Sequence, residues 1–494
     1  MPRSLLAALS ACALTAGTVA AAGPAAYAAP AAPAAGKART VNVKSFDGVS
    51  IVTHFFPAGG AAAGRRAPTV LLGHGWGGRG ETDTAAGMLG ALLTAGYNVV
   101  TWNARGFGSG GQANVDYHRF EGRDVQKLID WTARQPEVAL DRPGDPRLGM
   151  AGGSYGGAIQ LVTAGIDRRV DVIAPQIAYN DLRRSLYRDK VLRAGWVINL
   201  CLAGVVKGNR ISPQVQRACV DGVREGRLEP KLEQWFADHG PAHLIRGLKI
   251  PTLVIQGTVD TLFPLREGVE TYRTVKRNGA PAKMIWYCGG HGSCNTKAGS
   301  EQHITDATLA WFGRHLRGDR SVGTGPEFEY VDQDGVYRGA ASYPPPALAP
   351  LKARRSGRLA FTPFDNSGSS MAAAVSKKAV EVPIPASAAT ARVVGSPRVT
   401  LTYRGHAIKA GTPLFAQVID RDTGIVIGNQ ATPLPVTLDG RKRTITRDLE
   451  AVAWKVGPKS RLAVQIIPGT GLFTWQRSAG WADLDVSVTV PRVR

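Results

Sequence analysis

Gly152-Gly153-Ser154-Tyr155-Gly156-Gly157 sets one serine among glycines, directly after an apolar run ending at Ala151 and directly before a helical run from Ala158. A strand, a tight turn and a helix in that order hold a hydroxyl out above a sheet, where it can attack a carbonyl. A hydroxyl is a weak nucleophile until a base takes its proton, and the base needs an acid to fix its tautomer. Two later strand ends offer both. Leu253-Val254-Ile255-Gln256-Gly257 runs into Thr258-Val259-Asp260, and Ile285-Trp286-Tyr287 runs into Gly289-Gly290-His291-Gly292. The expectation is acyl transfer with Ser154 as nucleophile, His291 as general base and Asp260 orienting the histidine. All three fall at carboxyl ends of strands, where open α/β sheets bind their ligands. Asp260 alone would read as a turn cap; its place between Ser154 and His291 in the chain gives it the catalytic reading. His239 and His243 lie at the end of the long stretch before the Leu253 run and His315 inside a terminal amphipathic helix, so all three are expected to serve packing or the surface.

The developing oxyanion needs donors. Leu72-Gly73-His74-Gly75-Trp76-Gly77-Gly78 follows a buried run, so the backbone amides of Tyr155 and Trp76 are the expected oxyanion hole. Asn103 to Gly110 is also glycine-rich, but its glycines miss the Gly-x-Gly-x-x-Gly spacing, which argues against a nucleotide. Cys288-x-x-His291-x-x-Cys294 has no fourth ligand at metal-site spacing, so a structural disulfide is expected there instead of a metal. Beyond Cys12 the chain has four cysteines, Cys201, Cys219, Cys288 and Cys294, and three pairings are open to them. Nearest-neighbour pairing would join Cys201 to Cys219 and clamp the His291 loop through Cys288 and Cys294.

These residues need a sheet to hold them. Asp47-Gly48 sits between two alternating segments as in a hairpin. Apolar runs then recur at Thr69 to Leu72, Asn98 to Trp102, Leu148 to Ala151, Val170 to Ala174, Leu253 to Ile255 and Met284 to Tyr287. Strands buried on both faces with helices between them make a mostly parallel, doubly wound α/β sheet. A catalytic domain is expected over residues 40–320, with the stretch 181–248 too long for a crossover and read as a helical cap that shapes the substrate pocket. From residue 321 to 494 a linker around Tyr343-Pro344-Pro345-Pro346 leads into short alternating strands, the pattern of a β-sandwich of jelly-roll type.

The first 28 residues read as a signal peptide: Arg3, an apolar stretch from Leu5, then Ala26-Tyr27-Ala28 as a small-x-small cleavage site. Residues 29–39 form a flexible leader. Leu9-Ser10-Ala11-Cys12 offers the alternative of a lipid anchor at Cys12. No later run is long and apolar enough to span a membrane. Sixty basic against 38 acidic residues give a formal charge of +22, scattered as arginine rather than gathered in a run. That pattern fits loose attraction to anionic cell-wall polymers, without a nucleic-acid motif. A wall-binding protein with a secondary hydrolase core is the reading from another class.

Together these motifs resemble the Xaa-Pro dipeptidyl-peptidase and cocaine-esterase family of α/β-hydrolases. The matching residues are Gly153-Ser154-Tyr155-Gly156 after Asp145-Pro146-Arg147-Leu148-Gly149, Ile129-Asp130-Trp131 with Gln135-Pro136, Gln256-Gly257 through Asp260, Gly290-His291-Gly292 and the terminal sandwich. The resemblance implies an acyl-enzyme mechanism on an ester, amide or peptide, without cofactor. Esterase or acylase action is the favoured expectation and dipeptidyl-peptidase action the alternative. Two features depart from the family. Trp76 stands in the loop where members often carry a tyrosine oxyanion donor. The acidic groups that would hold a peptide's amino terminus have no clear match, Asp181, Asp189 and Glu233 being candidates.

Overall fold

The computed structural model describes residues 37–59, 65–300 and 302–494. The expected signal peptide, most of the leader and Cys12 lie outside the described residues. Ten strands form the catalytic sheet: β1 (Arg39–Lys44), β2 (Ser50–Phe56), β3 (Thr69–Gly73), β4 (Asn98–Trp102), β5 (Leu148–Gly153), β6 (Val172–Gln176), β7 (Thr252–Gly257), β8 (Ala282–Tyr287), β9 (Phe328–Val331) and β10 (Tyr337–Ala340). Their order is β1-β2-β4-β3-β5-β6-β7-β8-β9-β10. From β4 to β9 every neighbour is parallel, and antiparallel hairpins close both edges. The sheet is the doubly wound arrangement that the apolar runs imply.

Alternation along the strands explains how it is buried. Leu71, Val100, Met150, Ile173, Val254 and Met284 point to one face and join one core. Their neighbours Val70, Val99, Ala151, Val172, Leu253 and Ile285 point to the other and join a second core. A strand's side chains alternate between faces, so only continuous apolar runs can serve a sheet covered on both sides. The covering helices are α1 (Gly87–Thr94), α2 (Glu121–Thr132) and α3 (Tyr155–Ile166), and later α8 (Leu265–Arg277) and α9 (Gln302–His315). In α8 the buried residues Leu265, Val269, Tyr272 and Val275 recur at helical spacing, and Lys276 and Arg277 complement the carboxyl end of its dipole.

Between β6 and β7 lies the cap, with α4 (Leu182–Leu186), α5 (Ala194–Val205), α6 (Pro213–Arg217), a π-helical turn at Ala218–Gly222 and α7 (Pro230–His239). One disulfide joins Cys201 on α5 to Cys219 in the π turn, and a second joins Cys288 to Cys294.

The catalytic sheet runs on past residue 320, so a boundary drawn on the sheet falls after Ala340. Strand β9 is only four residues long and carries Glu329, which weakens its apolar signal. Burial is made tolerable because Lys283 of β8 pairs with Glu329 and Phe328 packs edge-on against Trp286 at 5.0 Å. Beyond it the chain folds into an antiparallel β-sandwich with its own core, including Leu401, Leu414, Val464 and Val486. Two of its expected short strands, Arg398 to Tyr403 and Leu414 to Ile419, belong to a single 23-residue strand, Arg398–Asp420.

Candidate active site

Ser154 stands between β5 and α3 with φ 58° and ψ −117°, a conformation that L-residues adopt only under constraint. The constraint is a close approach of two chains. A Cβ on Gly156 would lie 2.2 Å from the Gly73 carbonyl oxygen, and one on Gly152 would lie 2.4 Å from it. Glycine at both positions lets β3 press against the turn, and the Ser154 amide donates to the Gln176 carbonyl of β6 at 2.9 Å. The serine is thereby held by the two strands beside its own.

Asp260 follows β7 and is wholly buried. Its Oδ1 accepts hydrogen bonds from the Leu262 amide at 3.0 Å and the Phe263 amide at 2.8 Å. His291 follows β8, and its Nδ1 meets Asp260 Oδ2 at 2.8 Å and Oδ1 at 3.0 Å. Its Nε2 lies 2.7 Å from Ser154 Oγ. Gly290 lets the His291 loop come this close to Asp260, because a Cβ there would sit 2.5 Å from the Asp260 Cβ. Phe263 and Trp196 flank the imidazole edge-on at 5.0 and 5.7 Å. The structure therefore brings together all three residues singled out by the sequence. Such a chain of hydrogen bonds can move a proton from the serine to the histidine as the hydroxyl attacks a carbonyl.

Tyr155 and Trp76, the expected oxyanion donors, line the same hollow as Ser154. Among the described residues neither backbone amide has a hydrogen-bond partner, and the Tyr155 N–H is the first of α3, where no intrahelical acceptor exists. The Trp76 indole donates to the Leu200 carbonyl of the cap at 3.0 Å and packs edge-on with Phe107 and Tyr155. His74 has a structural task. Its Nδ1 donates to Gly75 O at 2.7 Å, its Nε2 accepts from the Ala104 amide at 3.0 Å, and burial pushes its pKa down to about 4.

Several supports of this site carry no mark in the sequence. Gln430 of the sandwich donates through its side chain to the Asp260 carbonyl. Thr261 Oγ1 accepts from the Trp196 indole at 2.9 Å and donates to Met371 O of the sandwich at 2.6 Å. Asn295, beside the Cys288–Cys294 disulfide, donates to Asn429 at 2.9 Å. The sandwich thus braces the turn of Asp260 and the loop after His291. Behind Tyr155 lies a buried acidic group: Tyr155 Oη is 3.4 Å from Glu121 Oε1, and Tyr179 Oη is 3.0 Å from Asp116 Oδ2. Burial raises the Glu121 pKa to about 8, and burial together with Glu121 raises that of Asp116.

A model of the X-Pro dipeptidyl-peptidase (S15) family matches residues 47–293, half of the chain. The protein belongs to that family. It is accordingly a serine hydrolase. Solved structures share its fold: an alpha-amino acid ester hydrolase at 13% identity has a TM-score of 0.72 over 95% of this chain and 98% of that one. An aminopeptidase from a marine sediment Thaumarchaeota archaeon, at 12% identity, gives 0.71 over 96% and 99%. A CocE/NonD family hydrolase from Staphylococcus aureus, at 13% identity, gives 0.64 over 93% of each chain.

Proposed function

We propose that this hydrolase cleaves esters or amides through an acyl-enzyme with Ser154, His291 and Asp260 as its triad. The observation that carries the reading is the 2.7 Å hydrogen bond from Ser154 Oγ to His291 Nε2, continued from Nδ1 to Asp260. Ser154 Oγ adds to the substrate carbonyl carbon while its proton passes to His291, and the Tyr155 and Trp76 amides donate to the resulting oxyanion. Collapse breaks the bond to the leaving oxygen or nitrogen, which takes the proton from His291. Water then loses a proton to His291, attacks the ester on Ser154, and releases the acid with the serine restored. Asp260 holds the imidazole tautomer and stabilises the imidazolium between the steps.

Esterase or acylase action is the favoured form, with Xaa-Pro dipeptidyl-peptidase action the alternative. Export through residues 1–28 completes the reading. It is supported by two disulfides, which persist in oxidising compartments. The excess of 60 basic over 38 acidic residues would favour loose contact with anionic wall polymers after export.

The decisive experiment replaces the nucleophile. Ser154→Ala is expected to lower kcat on an aryl ester by at least about a thousandfold. Wild-type turnover in that variant would overturn the assignment.

A further inference from the structure

The cavity beside Ser154 is lined mostly by the cap. Its wall includes Leu182, Leu186, Val197, Val215, Leu228 and Phe236, and it opens beside Ser154. Apart from Ser154, the lining side chains are apolar or aromatic, and no carboxylate or ammonium is among them. We infer that this cavity is the acyl pocket of the hydrolase, and that it takes an uncharged aliphatic acyl chain and rejects one bearing a free α-ammonium group. The inference rests on the proposed triad and names the substrate class that the triad serves.

Which half of the substrate enters follows from the proton path. A leaving group must pick up its proton from His291, so it has to lie against that ring. His291 lines neither of the two hollows that meet at Ser154, but the apolar one alone includes both Trp76 and Tyr155, the proposed oxyanion donors, whereas the other is lined by Arg79 and Glu81. The cavity therefore holds the acyl side of the scissile bond.

Rejection of an ammonium follows from where the nearby acids are spent. A cation moved into an apolar cavity loses its hydration and needs a charged partner to compensate. Asp181 caps α4 through the Arg184 amide at 3.0 Å, Glu233 pairs with Lys190 at 2.5 Å, and Asp189 lies 3.6 Å from both Arg188 and Arg447. None of the three lines the cavity, and Glu81 lines the separate hollow at Ser154. Asp116 and Glu121 are screened from it by the tyrosines whose hydroxyls they face, and burial holds both toward the neutral form. The Cys201–Cys219 disulfide lies in the wall and ties α5 to the π turn that carries Ala218.

The test measures kcat/KM of the full enzyme on nitrophenyl acetate, butyrate and hexanoate, and on the norleucine nitrophenyl ester, which differs from the hexanoate by one α-ammonium. The expected result is a rise of roughly threefold to fourfold per methylene up to hexanoate, the transfer value of a buried CH₂. The norleucine ester should fall at least about a hundredfold below the hexanoate. Ala218→Phe, which fills the cavity, should lower the hexanoate-to-acetate ratio at least about tenfold. A flat chain-length profile, a norleucine ester hydrolysed as fast as the hexanoate, or an unchanged ratio in Ala218→Phe would each overturn the inference. Labelling of Ser154 by a fluorophosphonate separates the two failures. A labelled enzyme with a flat profile removes the acyl pocket alone, and an enzyme that resists labelling removes the triad and the pocket together.

Discussion

Ser154 and His291 meet across a 2.7 Å hydrogen bond, yet the turns that carry them are held in place by different means. The serine turn is fixed by glycines of its own hexapeptide pressed against the neighbouring strand, with Gly73 as the contact. The turn of Asp260 and the loop of His291 also meet through a glycine, Gly290, but they need further support, from Gln430, Met371 and Asn429 of the sandwich and from a disulfide across the loop. A nucleophile turn is local and can be written in six consecutive residues. An acid and a base that end separate strands must be aligned by something that touches both.

The contrast breaks most sharply at Gly156. A valine there would drive its Cβ to 2.2 Å from the Gly73 carbonyl oxygen, in a contact of backbone with backbone that no rotamer change can relieve. Gly156→Val is expected to slow fluorophosphonate labelling at Ser154 by at least about a hundredfold, the penalty of displacing a reacting group by about 1 Å. Circular dichroism on the same sample would establish whether the fold survives. A normal labelling rate would mean that the close packing on Gly73 is not what positions the serine.

The difference also accounts for what could be read from the sequence. The sheet was legible because a strand buried on both faces has to be a continuous apolar run, as Asn98 to Trp102 is. That Ser154, Asp260 and His291 would meet was legible because each follows such a run, in chain order. Strand β9 escaped because Glu329 interrupts it, and the lysine that neutralises that glutamate lies 46 residues away in the chain. Gln430 escaped for a similar reason: it stands 170 residues from Asp260, in a sandwich turn without any motif of its own. The acid-side supports are long-range contacts, and spacing in a single sequence carries no record of them.

Gln430→Ala tests that external brace. It leaves the buried Asp260 carbonyl without its side-chain donor, a loss worth about 1 kcal/mol, or roughly fivefold in rate if it falls on the transition state. The expected outcome is a kcat about fivefold lower with KM within about twofold of wild type, because Gln430 does not line the acyl cavity. Gln430→Glu, whose ionised side chain cannot donate, should fall at least as far. Steady-state kinetics on nitrophenyl hexanoate would decide. A rise in KM with kcat unchanged would show that the sandwich acts on binding instead of alignment.

The smallest effect concerns the long-range support that the serine turn does have, the approach of Tyr155 Oη to Glu121 Oε1. Burial raises the pKa of Glu121 from its ordinary 4.5 to about 8. Below pH 4.5 the carboxyl is protonated in both folded and unfolded chains and contributes no pH dependence. Between 4.5 and about 8 the unfolded chain has lost this proton while the folded protein keeps it, so stability falls as pH rises, by up to about 1.4 kcal/mol per pH unit. Above 8 both states are ionised and the loss levels off. His74 and His239 act in the opposite direction at lower pH. Burial lowers both to about 4 from 6.5, so the unfolded chain takes up their protons first and stability falls as pH drops through that interval. In the window from 6.5 to 8 these histidines are silent. The neighbouring Asp116, whose pKa burial also raises, is present in both the wild type and Glu121→Gln, so the difference between them reports Glu121. Urea unfolding at pH 6.5, 7.25 and 8 is expected to show a steeper decline for the wild type than for Glu121→Gln, whose side chain does not titrate. Only the slopes are to be compared, since the amides of Asn114 and Tyr117 both bond to this carboxyl and the substitution shifts absolute stability as well. Parallel slopes would mean that Glu121 is already ionised in the folded protein, and that the serine turn leans on a charged neighbour after all.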